Sequence, residues 1–341
     1  MSAGELMAAE MAEQPAALAG LAARRAELVD EVRAHIGARP AGIVLAARGS
    51  SDNAAIYGRY VLELAAGRPV ALAAPSLVTR YDAHSDLDGW LAVGVSQSGR
   101  TPEIVSVLEE LGAAGARTVA ITNDRDAPIA AAAGATIDTG AGDERAVPAT
   151  KTFTAQVAAF AILAEAVGPV PWDAGAWDAL PGAVSAVLAD PEPAARAAAW
   201  IGDASGLVAV ARGVLLAVAL EAALKLKETT GLLAEGESAA DFLHGPIAVV
   251  REDLPVLAIS ARGPVAADID DLVAQVRARG GRVLTLADRE DADLPIPPEV
   301  PEGLAAIPAT VRAQQVAREL ALARGVDPDA PFGLSKITAT R

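Results

Sequence analysis

The stretch Trp90-Leu-Ala-Val-Gly-Val-Ser-Gln-Ser-Gly-Arg-Thr101 decides the fold class. Its apolar run at 90–96 predicts a buried β-strand, and the residues from about 101 to 114 follow a helical pattern. Further predicted elements share this alternation of apolar strand and helix: strands at 41–47, 69–74, 117–123 and 135–139 and a helix at 52–66. Such alternation is typical of parallel βαβ units. We therefore expect an α/β fold in which helices flank a parallel sheet.

The same pattern begins again about 164 residues later. Ala47-Arg48-Gly49 returns as Ala211-Arg212-Gly213, and Ser96, at a strand end, returns as Ser260. The segment GARTVAITN at 115–123 returns as GGRVLTLAD at 280–288. Three sequence motifs, each at a strand end, recur at nearly the same spacing. They indicate two copies of one α/β domain.

The composition narrows the possible partners. The formal net charge is −16, and an acidic chain repels nucleic acid and anionic membranes, so we expect neither as a partner. There are no cysteines, which excludes disulfides, thiolate metal ligands and a thiol nucleophile among these residues. The first residues do not resemble a signal peptide, and apolar runs such as Val157–Ala164 are too short to span a membrane. A cytoplasmic location is the expectation.

The loop at 96–101, Ser-Gln-Ser-Gly-Arg-Thr, has the chemistry of a phosphate site. It follows a predicted strand and opens a predicted helix, whose N-terminus offers free N–H groups and a positive dipole end. Its hydroxyls add short donors, and Gly99 permits a tight turn. The alternative is a plain helix N-cap. In the second copy the loop becomes Ser-Ala-Arg-Gly-Pro-Val, so we expect only the first copy to hold phosphate in this way.

A second polar loop, Arg-Gly-Ser-Ser-Asp-Asn at 48–53, follows the first predicted strand and could also be a helix cap. Two neighbouring strand ends with Ser-rich loops predict a shared crevice, where open α/β sheets bind ligands.

The chain resembles the sugar isomerase (SIS) domain family. The resemblance rests on the 96–101 loop together with four further segments: ITN at 121–123, VPATKTFTAQ at 147–156, ALKLKETTGLLAEGES at 223–238 and FLHGP at 242–246. It is similar to the isomerase half of glutamine–fructose-6-phosphate aminotransferases and to stand-alone glucosamine-6-phosphate deaminases. The resemblance implies two SIS domains, each a flavodoxin-like αβα sandwich, in a homodimer that binds a phosphorylated amino sugar.

With this resemblance the chain divides into five predicted parts. They are an N-terminal helical segment (1–36), a phosphate-binding SIS domain (37–168), a helical linker (169–195), a second SIS domain (196–330) and a C-terminal tail (331–341) that closes over the site.

The resemblance also assigns the substrate contacts. The residues that match the family's phosphate and sugar contacts are Ser51, Ser96, Gln97, Ser98 and Thr101. In the family a Ser of a Val-Ala-Ser-Thr motif also touches the sugar. Here the motif reads Val-Pro-Ala-Thr, so Ala149 stands in that position and leaves the sugar specificity open.

The resemblance assigns four catalytic positions. Glu228 matches the proton-transfer carboxylate, Lys225 lies three residues before it, and the two share a helix face. His244 matches the ring-opening histidine, which the family takes from the partner subunit, and Lys336 matches the lysine of the closing tail. The alternatives are a surface ion pair for Glu228 and Lys225, a loop histidine bonded to a carbonyl, and a disordered tail charge.

These residue types suit proton transfer on an open-chain sugar. A histidine can open the ring near neutral pH, and a carboxylate can carry the acidic C2 proton to C1. A lysine can stabilise the developing enolate as a cation, or attack as an amine if its pKa is depressed. We expect no metal and no organic cofactor.

Three functions remain open at this point. The first is conversion of glucosamine 6-phosphate to fructose 6-phosphate and ammonia, which suits a chain without a glutaminase domain or a cysteine. The second is a dehydratase that expels the 3-hydroxyl of N-acetylglucosamine 6-phosphate, mildly favoured by the missing hydroxyl at Ala149. The third is a non-catalytic sugar-phosphate sensor.

Overall fold

A computed structural model describes residues 2–336. The first parallel sheet has the strand order β2-β1-β3-β4-β5. Its strands are β1 (Ile43–Ala46), β2 (Val70–Leu72), β3 (Leu91–Val95), β4 (Arg117–Thr122) and β5 (Ala135–Asp138). The central strands β1 and β3 are buried throughout, as expected for a sheet covered on both faces.

Seven helices belong to the first half of the described residues. They are α1 (Glu5–Ala12), α2 (Gln14–Ile36), α3 (Ser50–Ala66), α4 (Pro75–Thr79), α5 (Pro102–Ala113), α6 (Pro128–Ala131) and α7 (Lys151–Val167). The break between α1 and α2 falls at Glu13, and Pro15 sits in the first turn of α2, where its missing N–H has no helical partner to lose.

The second parallel sheet has the order β10-β9-β8-β6-β7. Its strands are β6 (Gly206–Ala211), β7 (Leu233–Ser238), β8 (Val256–Ile259), β9 (Val283–Ala287) and β10 (Leu294–Pro295). Read from β7, this order is the one found in the first sheet, with each strand replaced by its counterpart in the repeat. The predicted α/β fold with two domains of one kind is confirmed.

Six helices accompany the second sheet. They are α8 (Ala174–Ala189), α9 (Glu192–Ile201), α10 (Leu216–Thr230), α11 (Ala239–Leu243), α12 (Ala266–Ala278) and α13 (Glu302–Ala323), with short 3₁₀ turns at Gly213–Leu215 and Pro246–Val249. Within residues 2–336, no helix is long and apolar enough to cross a membrane.

Contacts divide the described residues into two compact units that do not follow chain order. One unit holds 16–143 and 151–173, and therefore the first sheet with α2 to α7. The other holds 174–336 with the second sheet, and it also takes residues 2–15 and the segment 144–150. The predicted N-terminal segment is thus shared, because α1 packs with the second unit, while the predicted domain boundaries stay predictions.

Candidate active site

The 96–101 loop, the predicted phosphate site, lies at the carboxyl end of β3, directly before α5. Ser96 is buried, and its hydroxyl lies 3.1 Å from the hydroxyl of Thr101. Gly99 donates its N–H to the Ser96 carbonyl over 3.1 Å, which closes the turn. The loop therefore curls back on itself and keeps its hydroxyls near the N-terminus of α5.

Gly99 is required by both its backbone and its surroundings. Its φ of +63° lies in the left-handed region that favours glycine. A Cβ atom there would lie 2.4 Å from the Ala127 Cβ and 2.8 Å from the Thr122 Oγ1. Any side chain would push the loop away from the strand ends and open the turn.

The hydroxyls of this loop do not act as an ordinary helix cap. Thr101 occupies the N-cap position of α5, yet its side chain makes no capping hydrogen bond. Ser98 Oγ accepts the Arg100 N–H over 3.3 Å, and the Arg100 guanidinium bonds to Asp124 over 2.8 Å. The cap alternative accounts for the position of Thr101 but not for the direction of these side chains. Gln97, half-buried, uses its carbonyl to accept the Asn123 N–H.

The polar loop after β1 is joined by an ion pair to helix α5, which follows the 96–101 loop. Arg48 donates to both carboxylate oxygens of Glu103, over 2.9 and 3.0 Å, and Glu103 lies in the first turn of α5. Bidentate pairs of this kind fix orientation as well as distance. Ser51, in the first turn of α3, accepts a hydrogen bond of 3.0 Å from the buried Gln156. Ser51 and the 96–101 loop thus follow adjacent parallel strands, as predicted for a shared crevice.

The second copy has a similar ion pair, and in its corresponding loop, 260–265, a backbone N–H is bonded to a carboxylate of the protein. Arg212, the counterpart of Arg48, contacts Asp268 over 2.5 Å, and Asp268 lies in the first turn of α12, one position after the counterpart of Glu103. The backbone N–H of Arg262 donates to both oxygens of the buried Asp288, at 3.0 Å each. A carboxylate of the protein itself therefore accepts this loop N–H. This contact supports the prediction that only the first copy holds phosphate.

A buried cluster of charges lies on α10. The Lys225 ammonium contacts Glu221 over 3.4 Å and makes a short hydrogen bond to Glu228. The side chains of Lys225 and Glu221 are each 1% exposed, whereas Glu228 is 22% exposed. The surface-pair alternative for Glu228 and Lys225 is therefore wrong, since the lysine is enclosed and only the carboxylate reaches solvent.

The charge state of Lys225 is set by its neighbours. Burial alone would lower the pKa of Lys225, but the carboxylates of Glu221, Glu228 and Glu144 outweigh burial and hold the pKa above its ordinary value. Lys225 is therefore a fixed cation at neutral pH. Of the two roles left open for it, electrostatic stabilisation fits and attack as a free amine does not.

Lys336 of the predicted tail lies in the same unit as this cluster. Its ammonium bonds to Glu144 Oε2 over 2.7 Å, and the Glu144 side chain has no exposed surface. Glu144 also accepts the Thr150 N–H over 2.9 Å. Ala149, on the same short segment, is half-buried. The rest of the predicted tail, 337–341, lies outside the described residues.

His244 stands apart from these contacts. It follows α11 directly, donates its backbone N–H to the Asp241 carbonyl over 3.0 Å, and is exposed. The sequence alternative is a loop histidine bonded to a carbonyl. In the described residues this bond is made by the backbone N–H of His244. Its assignment to ring opening across a dimer interface stays a prediction.

The sequence analysis did not identify two acidic residues, Glu221 of the α10 cluster and Glu144, which bonds to Lys336. Glu221 lies four residues before Lys225, a spacing that places the two on one helix face and could have been read from the sequence. Glu144 is 192 residues from its partner Lys336, so no local pattern connects them. The structure thus groups Lys225, Glu228, Lys336, Ala149 and His244 in one unit, and Ser51 with the 96–101 loop in the other.

Comparison with known proteins identifies relatives along most of the chain. The family model described as SIS domain matches residues 39–166 and 201–296. A glutamine–fructose-6-phosphate aminotransferase [isomerizing] of Methanothermobacter thermautotrophicus is 33% identical in an alignment of 302 residues that covers 86% of this chain and 51% of that protein. The chain thus spans about half the length of the curated relatives that it matches.

Solved structures share the whole architecture. A candidate phosphosugar isomerase from Silicibacter pomeroyi superposes with a TM-score of 0.86 at 34% identity, covering 95% of this chain and 99% of that one. A glucosamine-6-phosphate deaminase from Thermotoga maritima gives a TM-score of 0.74 at 19% identity, covering 96% and 100%. At that identity the second likeness concerns the fold alone.

Proposed function

The chain belongs to the SIS domain family, and from that premise we propose that it converts glucosamine 6-phosphate and water into fructose 6-phosphate and ammonia. The observation that carries the proposal is the buried Glu221–Lys225–Glu228 cluster, in which one carboxylate reaches solvent beside a fixed cation. A carboxylate and a cation together are what proton transfer next to a carbonyl requires. The relative from Methanothermobacter, with fructose 6-phosphate and isomerizing in its name, supports this class of reaction.

Each step has a residue suited to it. In the open-chain sugar, Glu228 removes the proton from C2 while Lys225 stabilises the negative charge that develops on the C1 oxygen. Glu228 then returns the proton to C1, and a proton passes from the nitrogen to the C1 oxygen, which leaves a hydroxyl at C1 and an imine at C2. Water adds to the imine carbon, and the C–N bond breaks to give the ketone and ammonia. We assign ring opening to His244 of a second copy of the chain, in a homodimer, and phosphate binding to the 96–101 loop with Ser51.

The proposed direction requires no separate source of ammonia. The 341 residues contain no cysteine, so they offer no thiol nucleophile. Glucosamine 6-phosphate carries its own nitrogen, so these residues can process it unaided. No step needs a metal or an organic cofactor.

A dehydratase acting on N-acetylglucosamine 6-phosphate is the second candidate. Ala149 favours it, because alanine lacks the hydroxyl of the serine that the family has at this position and is the smaller side chain. The N-acetyl nitrogen cannot leave as ammonia, so an enolate formed at C2 would expel the 3-hydroxyl. Both candidates use the same first proton transfer by Glu228.

An NMR time course distinguishes the candidates. Purified protein is incubated first with glucosamine 6-phosphate and then with N-acetylglucosamine 6-phosphate. We expect fructose 6-phosphate and ammonia from the first sugar and no change in the second. An unsaturated product from the second sugar would contradict the deaminase and support the dehydratase. Tight binding of both sugars without any product would contradict both enzymes and support a sensor.

Binding of the phosphate group is tested at Ser98. We expect Ser98→Ala to weaken the affinity for glucosamine 6-phosphate about 10-fold or more, because a hydrogen bond to a charged group is lost. The turnover number should change little, since Ser98 acts away from C1 and C2. Isothermal titration calorimetry measures the affinity, and Ser185→Ala, which removes an exposed hydroxyl bonded to the Pro181 carbonyl, is the matched control. Equal affinities for the two variants would remove Ser98 from the phosphate site.

A further inference from the structure

Glu144 is a fully buried carboxylate held in one orientation. Its Oε1 accepts the Thr150 N–H over 2.9 Å, and the Thr150 hydroxyl lies 3.4 Å from the same atom. Its Oε2 meets the Lys336 ammonium at 2.7 Å. Each oxygen therefore has its own partner. A carboxylate without exposed surface is costly to bury unless a cation accompanies it, and Lys336 supplies that cation from the far end of the chain.

The backbone under Glu144 is braced by the first helix. Glu10 of α1 accepts the Arg145 N–H over 2.5 Å and the Ala146 N–H over 3.1 Å. Burial raises the pKa of Glu10, against the opposing effect of these N–H groups. Glu10 lies outside the residues that match the family model, yet it fixes the two residues that follow Glu144.

Glu144 also acts on the α10 cluster. Its charge contributes to the raised pKa of Lys225, together with the charges of Glu221 and Glu228. One carboxylate thus bonds to the tail lysine and lies within electrostatic range of the buried lysine.

We propose that Glu144 is a positioning residue that holds the Lys336 ammonium in one place, with Glu10 bracing the segment that carries it. The inference deepens the proposed function and rests on it, and it takes the catalytic position of Lys336 from the family resemblance. Glu144 acts through Lys336 and is not assigned a contact with the sugar. Its carboxylate keeps the tail lysine in place before any ligand binds.

The reactivity of Lys336 tests this proposal without a sugar. The full chain is reductively methylated with formaldehyde and borohydride, and peptide mass spectrometry follows the rate at each lysine. Glu144→Gln keeps an acceptor for the Thr150 N–H. In this variant we expect Lys336 to be methylated about 10-fold faster than in the wild-type protein, because its ammonium loses a charge-assisted hydrogen bond. Exposed Lys227 serves as the internal reference and should not change.

Two further variants separate positioning from a general loss of structure. Glu144→Asp keeps the charge and should restore part of the protection of Lys336. Glu165→Gln breaks another enclosed ion pair, with Arg25, and should leave Lys336 protected. Circular dichroism checks that each variant is folded. An unchanged methylation rate at Lys336 in folded Glu144→Gln would overturn the proposal.

Turnover gives the second readout. If the proposed reaction is observed, Glu144→Gln should lower kcat about 100-fold through misplacement of Lys336, with Glu144→Asp intermediate. If the unmodified protein turns over neither sugar, the proposed function fails, while the methylation rates still decide whether Glu144 holds Lys336. Normal kcat in Glu144→Gln with a more reactive Lys336 would show that the contact exists without serving turnover, and the positioning role would be withdrawn.

Discussion

We expect Glu228→Gln to lower the turnover of glucosamine 6-phosphate about 1,000-fold. The affinity for the sugar should stay within a few-fold of its original value. The amide cannot accept the C2 proton, whereas the phosphate contacts of the 96–101 loop and Ser51 are unaffected. Coupled detection of fructose 6-phosphate measures turnover, and calorimetry measures binding.

A matched substitution shows whether the effect is specific to this carboxylate. Glu235→Gln removes an exposed carboxylate on β7 in the same unit and should leave turnover within about 2-fold, as surface changes away from a site usually do. Full activity in Glu228→Gln would assign the base to another residue. A loss of activity matched by an equal loss of binding would mean that Glu228 holds the sugar and does not move its proton.

Lys225→Met should reduce the free energy of unfolding by about 3–5 kcal/mol, because it leaves the buried Glu221 carboxylate without its cation. Guanidinium denaturation of the variant and of the unmodified protein measures the difference. Lys227→Met is the matched control, since Lys227 is an exposed lysine on the same helix, and its effect should stay within about 0.5 kcal/mol.

The pH dependence of this contribution follows from the direction of the pKa. Since the pKa of Lys225 is raised from its ordinary value of 10.5, the stabilisation is complete below pH 10.5 and is lost as the pH rises through the higher folded-state pKa. The difference between Lys225→Met and the unmodified protein should therefore be constant from pH 7 to pH 9. Equal stability of Lys225→Met and Lys227→Met at pH 7 would mean that the α10 cluster does not depend on its lysine.

The sequence predicted those elements whose pattern lies in neighbouring residues of the chain. Apolar runs such as 90–96 mark buried parallel strands, and the echo of Ala47-Arg48-Gly49 at 211–213 marks the second domain, because both depend on neighbouring residues alone. The turn at 96–101 has a local signal for the same reason, since its hydroxyls and Gly99 are contiguous, and phosphate binding there stays a prediction. The structure adds the steric reason for Gly99, which is the Ala127 Cβ beside it.

The contacts that the sequence did not predict join distant segments. Glu144 and Lys336 are 192 residues apart, and Arg48 and Glu103 are 55 apart. Neither pair has a periodicity that could reveal it, because the packing of the chain alone brings the partners together. The same holds for α1, which lies first in the chain and contributes Glu10 to the support of the 144–150 segment.

The proton transfer from C2 to C1 is the central claim, and deuterium at C2 tests it most directly. Glucosamine 6-phosphate labelled with deuterium at C2 is incubated in ordinary water, and NMR locates the label in the fructose 6-phosphate formed. We predict that part of the deuterium appears at C1 with the unmodified protein, and that Glu228→Gln forms essentially no product. Labelled product from Glu228→Gln at the original rate, with the same share of deuterium at C1, would contradict the account.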